Sequence, residues 1–289
     1  NVGGLNFIAI IYKNEYLVTL QDRLSETTKW KEIAKVEYTD TQVIHNPYLT
    51  DVTANDGTRG TAYTPEAVTT TDDTITINSF KIAAQSIDRA DLAQKTFAGW
   101  MELADNQGTV LNEAIETGMY ANHAEYTNFD NASIGGGAGN ITVSESNVDD
   151  IIRGVKREIR EANGETLMDR NGAFFVWRPA DFEKLEAYVQ AQGFSTADGA
   201  LKDGTNQGFR YMGMEHYSSN KLASGHLFAG VKKALHLGIC KSTYGKVNEI
   251  EDPVVSGGQI SGLGINSRVD FKFKAWAKVV PVLFDILVA

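Results

Sequence analysis

The sequence predicts an α+β protein with a long projecting hairpin, and three observations carry that prediction. Strand-type alternation over Gln42-Val43-Ile44-His45 and Thr74-Ile75-Thr76-Ile77-Asn78-Ser79-Phe80 flanks a polar stretch containing the turn signal Asn55-Asp56-Gly57. Beyond it, Leu92, Phe97, Trp100, Leu103, Leu111, Ile115 and Met119 keep an approximately helical spacing. Further on, Ala173-Phe174-Phe175-Val176-Trp177 is an unbroken apolar run between Asn171-Gly172 and Pro179, the pattern of a strand buried on both faces.

The remaining elements follow in chain order. Residues 1–38 mix five basic with five acidic residues without a clean period. They read as an arm with a short helical piece over 25–36, capped by Ser25 and anchored by Trp30, Ile33 and Ala34. Residues 39–85 form a two-stranded excursion, and a hairpin that long is marginal alone in water and needs a surface to lie on. Asp88-Arg89-Ala90-Asp91 opens the long helix, which runs to about His123; some thirty residues would span about 45 Å. Gly99, Gly108 and Gly118 weaken it by roughly 1 kcal/mol each against Ala. After the glycine run 135–139, Val148, Ile151, Ile152, Val155 and Ile159 mark an amphipathic helix capped at Ser146 or Asn147 and stopped at Gly164. Pro179 opens a helix carrying Phe182, Leu185 and Val189 and ending at Gly193. A loop over 194–207, strands over 209–216 and 227–231, and one or two strands over 268–288 complete the chain, without an internal repeat.

Composition narrows the function classes. With 289 residues, 42% of them hydrophobic, the chain can bury a sizeable core, and 22% charged residues is an ordinary globular balance. A net charge of -10 argues against a surface built to neutralise phosphates. The lone Cys240 excludes an intrachain disulfide framework and a cysteine-rich zinc site, and suits a reducing cytoplasm. The apolar residues 279–289 hold Pro281 and Asp285 and are too short to span a bilayer, and 5–12 lack the flanks of a signal peptide, so no membrane partner is expected.

No pattern of catalytic residues emerges, and neither a cofactor nor a metal is implied. The glycine run lacks a preceding strand and a following Gly-Lys-Ser/Thr, so it reads as loop punctuation. His45, His123, His216, His226 and His236 are dispersed; of these, His216 and His226 are on strands that could be neighbours. Asp149-Asp150 suits the first turn of a helix, Asp72-Asp73 a turn, and there is no Gly-x-Ser-x-Gly. Trp177 and Phe174 read as core.

Arm, long acidic hairpin, long helix, compact α/β block and C-terminal strands, in that order, resemble the Hong Kong 97-type fold of tailed-bacteriophage major capsid proteins. The resemblance rests on Phe174-Phe175-Val176-Trp177-Arg178-Pro179-Ala180-Asp181-Phe182-Glu183-Lys184-Leu185, on Gly208-Phe209-Arg210-Tyr211-Met212-Gly213-Met214, on Leu227-Phe228-Ala229-Gly230-Val231-Lys232-Lys233-Ala234, and on 273–287 with Pro281. It implies a non-enzymatic shell subunit that assembles with itself into hexamers and pentamers of an icosahedral capsid, in the host cytoplasm, enclosing double-stranded DNA without sequence-specific binding. Scaffold, portal and decoration proteins are its further partners by the same token. It also implies a division into an N-terminal arm (1–38), an extended loop (39–85), a peripheral domain (86–128 and 243–289) and an axial domain (129–242). Residues 36–80 hold seven acids against the single base Arg59, so the expected intersubunit contacts are Asp51, Asp56, Arg59, Glu66, Asp72 and Asp73. Their expected docking surface is a neighbour's basic patch, with Lys81, Arg89, Lys95 or the helix face of Arg153, Lys156, Arg157 and Arg160 as candidates, unless those helix charges are only a solvated face. No lysine occurs in that stretch, which departs from family members that cross-link through a loop lysine. An encapsulin-like compartment of the same fold, a soluble α/β enzyme, and an adhesin suggested by the Thr-rich 61–76 stay open as alternatives.

Overall fold

The computed structural model describes residues 29–54, 56–60, 62, 65–88, 98–192, 209–251, 254–255, 258–259 and 262–289. Two sheets organise them. The first surrounds β6 (Ala173–Trp177), whose five side chains are all buried. Its six strands run in the order β5 (Thr127–Phe129), β15 (Leu283–Leu287), β9 (His226–Val231), β6, β8 (Met214–Ser218) and β7 (Phe209–Tyr211). β6 and β8 are parallel, and α5 (Pro179–Ala191) lies in the connection between them, with Pro179 in its first turn, where a missing N–H costs nothing. The helix α3 (Val148–Glu161) buries Val148, Ile151, Ile152, Val155 and Ile159 as its spacing predicts, with Asp149 and Asp150 in its first turn. Gly154 lets it approach the sheet: a Cβ there would stand 2.8 Å from the Phe129 ring. The short α4 (Glu165–Asn171) leads into β6.

The second sheet is built on the 14-residue β14 (Gly262–Ala275). β4 (Ser79–Asp88) pairs with it along one edge, while β10 (Leu235–Cys240) and β11 (Lys246–Glu251) share the other. β1 (Lys35–Thr39) adds to β10 in parallel. Short strands β12 (Val254–Val255) and β13 (Gly258–Gln259) pair with each other. Across this sheet lies α2 (Ala98–Ala121), 24 residues and so about 36 Å long. Its Ala104, Leu111, Ile115 and Met119 are buried. Gly118 has a packing reason, since a Cβ there would meet the Phe271 ring at 2.7 Å. The short α1 (Lys29–Ile33) docks on α2 through Trp30, whose indole N–H donates to Asn112 Oδ1 at 2.6 Å. No helix among the described residues is long and apolar enough to cross a membrane.

Several expectations need correction, most of them because nonlocal pairing overrides local pattern. The helical piece ends at Ile33, and Val36 instead sits in β1, in register with Leu237; residues 25–28 lie outside the described part. Phe80 belongs to β4, not to the hairpin, and Asp88 ends that strand opposite Gly262 instead of opening the long helix; residues 89–97 are not described. The stretch 209–216 is two strands turning at Met212 and Gly213, both in left-handed backbone with φ of 52° and 81°. The expected loop over 194–207 lies outside the described residues. Strands β10 and β11 were not anticipated. The division by sheets also differs from the sequence division: β15, from the C-terminal segment, completes the six-stranded sheet, and β10, from the middle block, joins the other.

Candidate assembly surface and a histidine–aspartate cluster

The projecting hairpin consists of β2 (Val43–Leu49) and β3 (Thr70–Thr76), antiparallel from Val43 opposite Thr76 to Leu49 opposite Thr70. Its own core is small. Ile44, Ile75 and Ile77 are buried against Trp276, and Ile44 seats over Gly238 of β10, where a Cβ would come within 2.8 Å of its Cδ1. Polar contacts hold the same end. Lys274 pairs with Asp73 and donates to Thr74 O at 2.8 Å, and the Ala277 amide donates to Asp73 Oδ2 at 3.0 Å. Burial raises the Asp73 carboxyl, but the Lys274 ammonium and the backbone amides outweigh that and hold it below the usual carboxylate range. Lys278 reaches further out, to Leu49 O at 3.1 Å and Asp51 at 2.7 Å.

Farther along, the hairpin is open to solvent. Leu49, Val52 and Val68 are 57%, 74% and 69% exposed, an apolar surface on a segment with little core. Asp72 bonds His45 at 2.6 Å, Glu66 accepts the Thr53 amide at 3.1 Å, and Asp56 and Arg59 are exposed near the tip. Of the expected contact residues, then, Asp51 and Asp73 meet cations of their own subunit. Arg153 pairs with Asp149 and Asp150 of its own helix, each at 2.7 Å, while Arg157 donates to Ser133 O and faces Glu158 and Glu161. Among the described residues, the ion pairs of Arg153 and Arg157 stay within their helix, and those of Asp51 and Asp73 go to Lys278 and Lys274. On the second sheet, Phe80 and Ile82 of β4 are about half exposed, with the Arg268 guanidinium 4.6 Å from the Phe80 ring centre.

Trp177 is fully buried as expected, stacked on Phe175 at 3.9 Å, with its indole N–H donating to His216 Nδ1 at 3.0 Å; Phe182 is half-buried at the edge of the same core. His216 Nε2 lies 3.1 Å from Tyr211 O, so the ring is neutral with its proton on Nε2, and burial pushes its pKa down to about 4. His216 does not meet His226, because β6 stands between their strands. His226 instead faces Asp285 of β15, with Nδ1 2.9 Å from both carboxylate oxygens. His123, just beyond α2, stacks on His226 with ring centres 3.9 Å apart and places Nδ1 3.5 Å from the same carboxylate. The sequence held no signal for this grouping, since the three residues come from distant segments. The glycine run closes a turn: Gly135 takes a φ of 85° after a short helix capped by Asp130.

No protein-family model matches the sequence, and no curated protein does. Solved structures do resemble the fold. A chain of Mycobacterium phage Che8 superposes with a TM-score of 0.62 at 16% identity, covering 85% of this chain and 84% of that one. The asymmetric unit of the bacteriophage PhiM1 mature capsid gives a TM-score of 0.62 at 12% identity, with 91% and 87% covered. A virus-like particle from Pyrococcus furiosus gives 0.58 at 10% identity, with 95% and 99% covered. With its long helix laid over one sheet, its compact second sheet and its projecting hairpin, the chain has the Hong Kong 97-type fold of tailed-phage major capsid proteins.

Proposed function

We propose that this chain is the major shell subunit of a tailed phage, assembling into hexamers and pentamers of an icosahedral capsid that encloses double-stranded DNA. The observation that carries this reading is the hairpin: it keeps a core of three isoleucines at its base and presents Leu49, Val52 and Val68 to solvent beyond it. Such a segment gains stability when a neighbouring copy covers it. One head-to-tail contact of this kind closes into rings of five or six with small changes of angle. Asp56, Arg59, Glu66 and Asp72 are the hairpin residues offered to the neighbour, while Asp51 and Asp73 set the angle at which the hairpin leaves its own subunit. Arg153 and Arg157 are the proposed facing cations, exchanging partners within their helix for acids of the adjacent copy. Without lysine in the hairpin, the shell is held noncovalently there or by a separate decoration protein.

The likeness to a virus-like particle favours a second reading, a compartment of the same fold that encloses protein. Electron microscopy of the purified protein, with nuclease treatment of the particles, tests both. Closed shells protecting DNA are expected; shells filled with protein alone would select the compartment. Deleting residues 51–65 should leave a folded, soluble subunit that forms no closed shell, and normal particles from that deletion would refute the role of the hairpin.

A further inference from the structure

We propose that His123, His226 and Asp285 form a binding site for a divalent transition-metal cation of the zinc type, which clamps the end of α2 onto the six-stranded sheet. The geometry suits that ion. One ligand atom from each residue lies within 4.8 Å of the others, and the measured Nδ1-to-carboxylate separations are 2.9 and 3.5 Å. A tetrahedral zinc with bonds of about 2.0–2.1 Å needs its ligand atoms about 3.3–3.4 Å apart, between those two values. Small side-chain adjustments therefore admit the ion.

The placement follows from strand register. Asp285 of β15 stands opposite Phe228 of β9, so His226, two residues before Phe228, is its diagonal neighbour on the same face. Asp285 is 3% exposed. A buried carboxylate requires compensating positive charge, and among the described residues its ion-pair partners are the two histidines. A neutral histidine supplies only a hydrogen bond, whereas a divalent cation supplies full charge. The aromatic residues Tyr126 and Phe228, stacked at 4.6 Å, pack beside this face, and a dry wall strengthens the attraction. Both histidines remain partly exposed, at 33% and 24%, leaving a path for entry and room for water as the fourth ligand. Two imidazoles and one carboxylate select Zn²⁺, Co²⁺, Ni²⁺ or Cu²⁺ over Mg²⁺ and Ca²⁺, which prefer all-oxygen shells. The other arrangement open to these residues is a proton shared between His226 and Asp285 with His123 merely stacked.

The full-length chain, stripped with chelator, is titrated with Zn²⁺ by calorimetry and with Co²⁺ by visible absorption. One equivalent per chain at micromolar or tighter affinity is expected, with the intense cobalt bands of four-coordination and no response to Mg²⁺. Zn²⁺ should raise the melting temperature. His123→Asn, at the surface and harmless to the core, and His226→Asn should each weaken Zn²⁺ binding at least about 100-fold, since losing even an outer-sphere partner costs 10–100-fold. Millimolar or weaker binding of Zn²⁺ would overturn the site. So would unchanged affinity in both variants, which would place the metal on other donors such as His45 and Asp72.

Discussion

The hairpin β2–β3 and the six-stranded sheet are both antiparallel pairings at their centre, yet they are stabilised in opposite ways. Within β6 every side chain is buried, with Phe175 stacked on Trp177 and Phe174 packed edge-on against Phe228 of β9. In the hairpin the buried residues are Ile44, Ile75 and Ile77, all at one end, and the rest is held by backbone pairing and by Lys274 and Lys278. The sheet carries its own core and the hairpin borrows one. A local defect in the first should therefore unfold the domain, whereas a local defect in the second should free the hairpin alone.

The largest expected effect tests the sheet. Trp177→Ala should cost about 3–5 kcal/mol, because it leaves a cavity and strips the His216 acceptor of its donor. Urea unfolding reads this as an earlier midpoint. An unchanged midpoint would mean that the sheet is no better packed than the hairpin.

Acid should act on the same sheet. His216 has a folded pKa of about 4 against an ordinary 6.5, so between those values the unfolded chain binds the proton and the folded one does not. Stability is full above about pH 6.5 and falls as the pH drops toward 4, by about 3 kcal/mol for a shift of this size. His216→Gln, which keeps a donor and an acceptor but cannot titrate, should flatten that slope. Chemical denaturation across this pH range provides the test.

The smallest effect belongs to the hairpin. Asp73→Asn removes the charge that Lys274 meets, and a hydrogen bond to a charged partner is worth about 1.5–3 kcal/mol, discounted here because the pair is near the surface. Hydrogen exchange should quicken in β2 and β3 while β6 keeps its protection. Equal loosening of both would show the hairpin and the sheet to be one cooperative unit.

A related contrast appears in the two tryptophan–histidine pairs. Trp177 donates to His216, and Trp276 donates to His236 Nδ1 at 3.1 Å. The outer nitrogen of His216 meets a backbone carbonyl, whereas that of His236 meets the Glu37 carboxylate at 3.0 Å. Burial lowers both pKa values, and at His236 the Glu37 charge works against it. The same local motif thus reports two depths in the molecule.

Much of this was legible in the sequence. The run Ala173–Trp177, bounded by Gly172 and Pro179, read as a strand covered on both faces, because five consecutive apolar residues leave no face for water and the flanking Gly and Pro leave no room for a helix of ordinary length. The stripe from Val148 to Ile159 specified a helix and its buried side, since helical period fixes which side chains share a face. The alternation around Ile44 and Ile75 specified a hairpin, and its length and polar tip foretold little core of its own. Tertiary structure decided the rest. That β15 closes the six-stranded sheet while β10 joins the other depends on pairings between segments far apart in the chain, which no local period encodes. That Asp51 and Asp73 meet Lys278 and Lys274 of the same subunit depends on where β14 ends beneath the hairpin. His123, His226 and Asp285 come together only because a helix end, a middle strand and the last strand converge, and sequence distance says nothing about a point where three elements cross.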